Sequence, residues 1–325
     1  MNTRLILTAL LLTAPIFSKA ADAPAPAPAK PVLKIIPGKV IVPTDAMRRI
    51  WGELISVDLA TRTGKFRKEG TDEVMPFTVM PYAELLHHAA NGDLQDFRVG
   101  ERAIFRMHEN DKGEWVWLTY IQDQMNMMNG HKEYFHVDSI NAAKGVLNVT
   151  QANDDKSYVR EKGILIETDK DTRYWLKGAQ AKFSDIKIGD KLRTKTHGVG
   201  AGKTQMCWEV FLDDGSLAKF QNEQKVVHAK RMQEEGAPGY VDEIGGQELK
   251  LTLFGEGDEI SKALKAGSAV RVAPAGMDRK ASGTGIAGTV TSATQRGRVC
   301  EVKLALDSAA GGFKLAGLAR LWIAK

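Results

Sequence analysis

The chain has 325 residues, 26% of them charged, with 45 Lys plus Arg against 40 Asp plus Glu and a formal net charge of +5. The length sets an expectation of two or three domains. So small and dispersed a basic excess argues against a nucleic-acid partner, although the sequence pI is near 9.0. Two cysteines, Cys207 and Cys300, allow one intramolecular pairing, and no GxSxG, HExxH or CxxC pattern points to the familiar hydrolase, metalloprotease or thiol-redox classes.

The opening MNTRLILTALLLTAPIFSKAAD holds one arginine, an apolar run from Leu5 to Phe17 and a small-x-small ending at Ser18 and Ala20. These are the marks of a cleavable secretory signal, and the run is too short to span a bilayer comfortably. No cysteine near the cleavage site suggests a lipid anchor, and no later stretch approaches the roughly 18 continuous apolar residues of a membrane helix. Removing residues 1–20 takes away Arg4 and Lys19 and no acid, which lowers +5 to +3. The APAPAPAKP that follows, residues 23–31, is an extended, solvated tether. The mature protein is therefore expected in the periplasm, cell envelope or extracellular space.

Beyond the tether, three segments begin alike: ISVDLATRTGKF at 55, VDSINAAKGVLNV at 137 and VDEIGGQELKLTL at 241. Each reads as strand, turn, strand, and each precedes a loop ending in glycine (Gly100, Gly189, Gly267) and a further alternating strand, AIFRM, KLRTK or AVRVA. In the first two copies another strand follows, WVWLTYIQD or TQMCWEVFL, and then acidic residues. About five short strands closing on themselves make a small barrel of the oligonucleotide/oligosaccharide-binding type. The expected fold is mainly β: about three tandem small OB-like β-barrels joined by short helical connectors. The expected boundaries are a signal at 1–20, the tether at 21–32, barrels at 33–124 and 137–214, a connector at 125–136, a helical connector at 215–237 and a divergent barrel at 238–325. In the third copy IAGTVTSA, VCEVKLALD and FKLAGLARLWIA read as the later strands, without a readable order.

In chain order, AELLHHAANGDL reads as a short helix with His87 and His88 at the surface. Adjacent histidines on a helix diverge by about 100° and do not chelate one ion together. Trp115 and Trp117 share a face of WVWLTY, so they either fill a core or seam or stack on a ligand ring. QDQMNMMNGHKEYFH, residues 122–136, offers Met125, Met127, Met128 and His131 as soft-metal ligands, or as apolar plugs of an inter-barrel joint. GVGAGK lacks the phosphate-loop spacing and reads as a hairpin turn. Asp213 and Asp214 in DDGS mark a turn, or in an enzymatic reading a carboxylate pair. SLAKFQNEQKVVHAKRMQEEG, residues 216–236, reads as a solvated helix resting lightly on a barrel through Leu217, Phe220 and Val227.

The stretches GELISVDLATRTGKF, MPFTVMPYAEL, FRVGERAIFRM and GEWVWLTYIQDQ cover about residues 52–124. In this order they resemble the small periplasmic copper- and silver-binding chaperone of bacterial metal-efflux systems, itself a five-stranded barrel. The resemblance implies that fold and, for the family, Cu(I) held by two methionines and a histidine under a tryptophan. Here Met75 stands at one methionine position, while Glu73, Arg62 and Gly70 stand at the other three.

The resulting expectation is an exported, non-enzymatic binding or scaffold protein of the envelope, built of repeats that contact mainly their neighbours. It would need no cofactor and would pair with an envelope component or protein. One alternative is a Cu(I) or Ag(I) binder using Met125, Met127, Met128, His131 and Met75. Another is an enzyme acting on envelope polysaccharide through Asp213 and Asp214.

Overall fold

The computed structural model describes residues 47–110, 112–197 and 204–324, all within one compact unit. The signal segment, the tether and the GVGAGK turn lie outside the described residues. Three closed β-barrels follow one another along the chain.

The first contains β1 (Met47–Asp58), β2 (Thr63–Lys68), β3 (Val74–His87), β4 (Ala90–Asn91), β5 (Arg102–Glu109) and β6 (Trp115–Asp123). The sheet runs β2-β1-β5-β6-β3 and closes through β2–β3, with β3 and β6 parallel. Alternating positions turn Leu54, Phe66, Phe77 and Phe105 inward, and Phe66 stacks on Phe105 with ring centroids 4.1 Å apart.

The second barrel repeats this plan with β7 (Glu133–Asn141), β8 (Val146–Asn153), β9 (Val159–Glu167), β10 (Arg173–Leu176), β11 (Ala179–Ala181), β12 (Lys191–His197) and β13 (Thr204–Phe211). It closes through a parallel β9–β13 pair. The third comprises β14 (Ala237–Gly245), β15 (Glu248–Leu253), β16 (Ala269–Ala275), β17 (Ile286–Arg296), β18 (Val299–Leu306) and β19 (Leu318–Ile323). The predicted later strands are all present there.

The order of the third barrel is different. It closes as β14-β15-β18-β17-β16-β19 with every pair antiparallel. Two like halves build it: β14 and β17 each bulge, at Val241 and at Val290, and each bulge receives a turn from the other half. Val290 pairs with the Gly267–Ser268 backbone, and Val241 with Ala316–Gly317.

The three loop glycines of the sequence share one task. Gly100, Gly189 and Gly267 have φ of 94°, 91° and 86°, a region that side chains avoid, and each donates its amide to a bulged strand, at Leu54, Val137 and Val290 respectively.

Two helices join the barrels, α1 (Gln124–Gly130) and α2 (Asp214–Glu235), and a short α3 (Asp258–Ala263) follows β15. The expectation for α2 is corrected by its contacts. Leu217 and Met232 are buried, yet Val227 is 48% exposed, and most of the buried face is polar: Ser216, Gln224, His228 and Arg231. This helix is a strut rather than a lightly resting connector. Gln221 reaches Ala89 O in the first barrel, Phe220 packs on Trp175 and Phe211 in the second, and His228 Nε2 bonds Glu256 O beside the third.

The expectation that barrels meet mainly their chain neighbours is also corrected, because the first barrel packs on the third. Tyr82 joins Tyr240, Phe254 and Leu318 in one apolar cluster, Arg298 pairs with Glu84, and Arg279 approaches Asp93. Cys207 and Cys300 are free, and each is buried in the core of a different barrel. Among the described residues no helix is long and apolar enough to cross a membrane.

Candidate functional site

The predicted helix over AELLHHAANGDL is instead the end of β3 and a two-residue hairpin into β4. Pairing of Leu85 and Leu86 with Ile121 and Gln122 of β6 carries the strand onward, which buries Ala83, Leu85 and His87 in alternation. Local helix preference yields to the barrel's hydrogen bonds. His88 and Ala89 form the turn with φ of 49° and 59°. A left-handed pair of this kind is the usual place for Asn-Gly, so two residues with larger side chains hold it at a cost.

The turn brings the two imidazoles together, with centroids 4.0 Å apart, and His87 is 5% exposed. Their partners come from distant segments. Lys195 Nζ on β12 lies 2.6 Å from His87 Nε2 and 3.2 Å from His88 Nε2. It also lies 3.0 Å from Glu101 Oε1, in the loop after Gly100. Glu101 Oε2 accepts from the Arg98 amide, and His87 Nδ1 donates to Gln224 Oε1 on α2 at 3.0 Å. That bond leaves Nε2 as an acceptor for the ammonium.

Asp123 completes the group. It is the N-cap of α1, one oxygen accepting from Asn126 N and the other from His88 N, each at 2.8 Å. Burial raises its pKa, the Lys195 charge opposes that, and Glu101 adds to it. Burial, then Lys195 and His87, hold the His88 imidazole far below its ordinary value, so it stays neutral.

His87, His88 and Asp123 place ligand atoms within 4.8 Å of one another, close enough in principle for a metal ion. Two features fill that role already. Both Asp123 oxygens are committed to backbone amides, and the Lys195 ammonium sits where the imidazoles and Glu101 converge. The arrangement cages a side-chain cation. Lys195 and Glu101 have 2% and 0% side-chain exposure, so the pair is sealed from solvent.

A second ionic layer runs from the first barrel to the third along α2. Asp93 holds Arg62 through both oxygens, and Asp96 holds Arg231 in the same way. Burial would raise the Asp93 pKa, but Arg279 and Arg62 more than offset it and keep the carboxylate well below its usual range.

The predicted ligands lie outside this cluster and do not converge on one point. Met127 and Met128 pack in the second barrel's core, Met125 packs with Phe211 and Leu217, and Met75 lies half-buried against the first barrel's core. His131 is exposed at the end of α1. Trp115 and Trp117 are half-buried against the first core, and Arg48 lies 4.0 Å over the Trp115 ring. Asp213 caps α2, and Asp214 pairs with Arg193 and Tyr134. Sequence reasoning missed Lys195, Glu101, Asp123 and Gln224. The available signal was the repeat itself, which sets His87-His88-Ala89 where the second copy has Leu176-Lys177-Gly178.

No family model matches the chain, and no curated protein matches it. Among solved structures, a fragment of Drosophila Unr labelled CSD456 is 10% identical, covering 75% of this chain and 79% of its own, with a TM-score of 0.20. A likeness that slight transfers no ligand.

Proposed function

We propose that the chain is an exported, non-catalytic binding protein of the cell envelope, in which three barrels are fastened into one rigid body. The observation that carries this reading is where the buried charge is spent. Lys195, Glu101, His87 and His88 join the first barrel to the second, while Asp93, Asp96, Arg231 and Arg279 join the first barrel and α2 to the third. Buried ionic groups of this kind add little net stability but penalise every other arrangement of the parts. A protein that must present a surface of fixed shape gains from that.

Export rests on the signal at residues 1–20, and the charge of +3 left after its removal favours an envelope component or protein over nucleic acid. A soft-metal role is the alternative implied by the resemblance of residues 52–124 to the copper and silver chaperones. Burial of Met127 and Met128 in one apolar core and of Met125 in another favours the binding-protein reading over it.

One preparation tests both halves of the proposal. Full-length protein produced in a Gram-negative host should be recovered outside the cytoplasm, cut near Ala20. Its small-angle scattering should match a single rigid particle that loosens in a Lys195→Met variant. Uncut cytoplasmic protein would contradict export, and a wild-type profile that requires independently moving barrels would contradict the scaffold.

A further inference from the structure

Between the first and third barrels lies a cleft of about 240 Å³, walled by Tyr82, Arg106 and Thr119 on one side and by Phe254, Glu256 and Arg298 on the other. Its lining holds two cations, Arg106 and Arg298, and two carboxylates, Glu84 and Glu256, but their pairing leaves one cation over. Arg298 is taken by Glu84, and Glu256 by Arg279. Arg106 has no hydrogen bond or ion pair among the described residues; it lies 4.5 Å over the Tyr120 ring, and its Nε is buried without a partner. The Tyr82 hydroxyl is likewise buried without a partner.

The strand register makes the imbalance worse. Arg49 on β1 stands directly opposite Arg106 on β5, where like charges destabilise a sheet. Burial, then the Arg49 charge, work against the charged form of Arg106, and Tyr120 and the Glu84 carboxylate offset them only in part. Compensation from within the chain is thus partial, and a local rule broken in this way marks a place where the rest comes from outside.

We propose that this cleft binds an anionic monosaccharide unit, a uronate or a sugar phosphate, with its oxyanion on the Arg106 guanidinium. The planar fork of arginine matches a carboxylate or phosphate through two parallel hydrogen bonds. The Tyr82 and Phe254 rings supply an apolar wall. A volume below the roughly 300 Å³ of drug-sized pockets limits the occupant to about one sugar ring. The inference rests on the binding-protein reading and gives it a ligand class.

Calorimetric titration of the mature protein tests this with glucuronate and glucose 6-phosphate, using glucose as the neutral control and tetragalacturonate as the polymeric probe. The expected result is saturable binding of an anionic sugar, at least roughly tenfold weaker binding of glucose, and a loss of roughly tenfold or more in Arg106→Gln. Tighter binding of tetragalacturonate than of the free sugars would point to a glycan, and the reverse to a soluble metabolite. Arg106→Gln should keep or raise the thermal midpoint, because it removes a like-charge pair. If that variant does not fold, Arg106→Lys, which keeps the charge and loses the planar fork, should weaken binding several-fold in a folded protein. No saturable binding of any anionic sugar, equal binding of glucose, or wild-type affinity in the folded variant would overturn the proposal. An exported, rigid protein that binds none of these probes would leave the scaffold reading standing and remove this one alone.

Discussion

The first and second barrels each send a two-residue hairpin against the helix that follows the barrel, and they use the same backbone device. In the first, the His88 amide donates to Asp123, which caps α1; in the second, the Lys177 amide donates to Asp213, which caps α2. Both turns are left-handed at both residues. The second barrel fills its turn with Lys177 and Gly178, the lysine exposed and the glycine free of strain. The first fills it with His88 and Ala89, and His87 just before the turn is buried against Lys195 with His88 half-buried beside it. One device serves as a surface turn in one barrel and as an inter-barrel lock in the other. The demands of a joint are met by a histidine and lysine cluster in one barrel and by a plain surface turn in the other.

The comparison breaks most readily at Lys195. Lys195→Met leaves Glu101 uncompensated in the seam and should cost about 3–5 kcal/mol, whereas Lys195→Met with Glu101→Gln should recover most of that loss. Lys177→Met, at the exposed turn, should stay within about 0.5 kcal/mol of wild type. Urea midpoints measure all three, and equal losses at Lys195 and Lys177 would remove the distinction between the two hairpins.

Acid should act on one hairpin and spare the other. The folded-state pKa of His88 is depressed, so below its unfolded value of about 6.5 the unfolded chain takes up a proton that the folded chain refuses. The His88 contribution is fully present above that pH and declines below it by about 1.4 kcal/mol per pH unit. The raised pKa of Asp123 has the opposite sign, since protonation in the folded state relieves the seam, and it blunts the decline at lower pH. His88→Asn, a residue that tolerates the left-handed turn, should flatten the stability profile between pH 6.5 and 5.5; an unchanged slope would place the acid sensitivity elsewhere.

Exchanging the turn residues sharpens the contrast further. Ala89→Gly should gain about 0.5–1 kcal/mol by relieving the left-handed alanine, and Gly178→Ala should lose about the same. At Gly178 an added Cβ meets its nearest neighbour, Lys219 Cδ, at 3.7 Å, so backbone conformation alone sets the cost. Thermal midpoints that move in the same direction would show that the turns are not equivalent in strain. The smallest expected effect is at α1: Cu(I) titrated into the mature protein should bind no more tightly than to a Met125, Met127 and Met128 to Leu triple variant, because these thioethers are core side chains. Tighter wild-type binding would restore the soft-metal reading.

Much of the fold was legible because it follows from periodicity and glycine. The strand, turn, strand openings at 55, 137 and 241, the loops at Gly100, Gly189 and Gly267, and the helix over 216–236 all announce themselves within short windows. The cluster did not, because its members come from β3, the Gly100 loop, β6, β12 and α2, and nothing local distinguishes Lys195 in KLRTKTH from a solvated strand lysine. The helix misread over AELLHH has the same cause: Ala, Glu and Leu favour a helix locally, and only pairing with β6 makes the segment a strand. The packing of the first barrel on the third was hidden for a further reason. It depends on Arg298, Tyr240 and Arg279 reaching across more than a hundred residues of sequence, a distance over which residue patterns carry no geometry.

The most direct test of the lock is amide hydrogen exchange at the two hairpins. The His88 amide, sealed under the Lys195 cage, should exchange only when the seam opens, at least about 100-fold more slowly than the Lys177 amide, and this protection should collapse in Lys195→Met. Equal exchange at His88 and Lys177 in the wild type, or His88 protection untouched by Lys195→Met, would contradict the claim that buried charge fastens the barrels together.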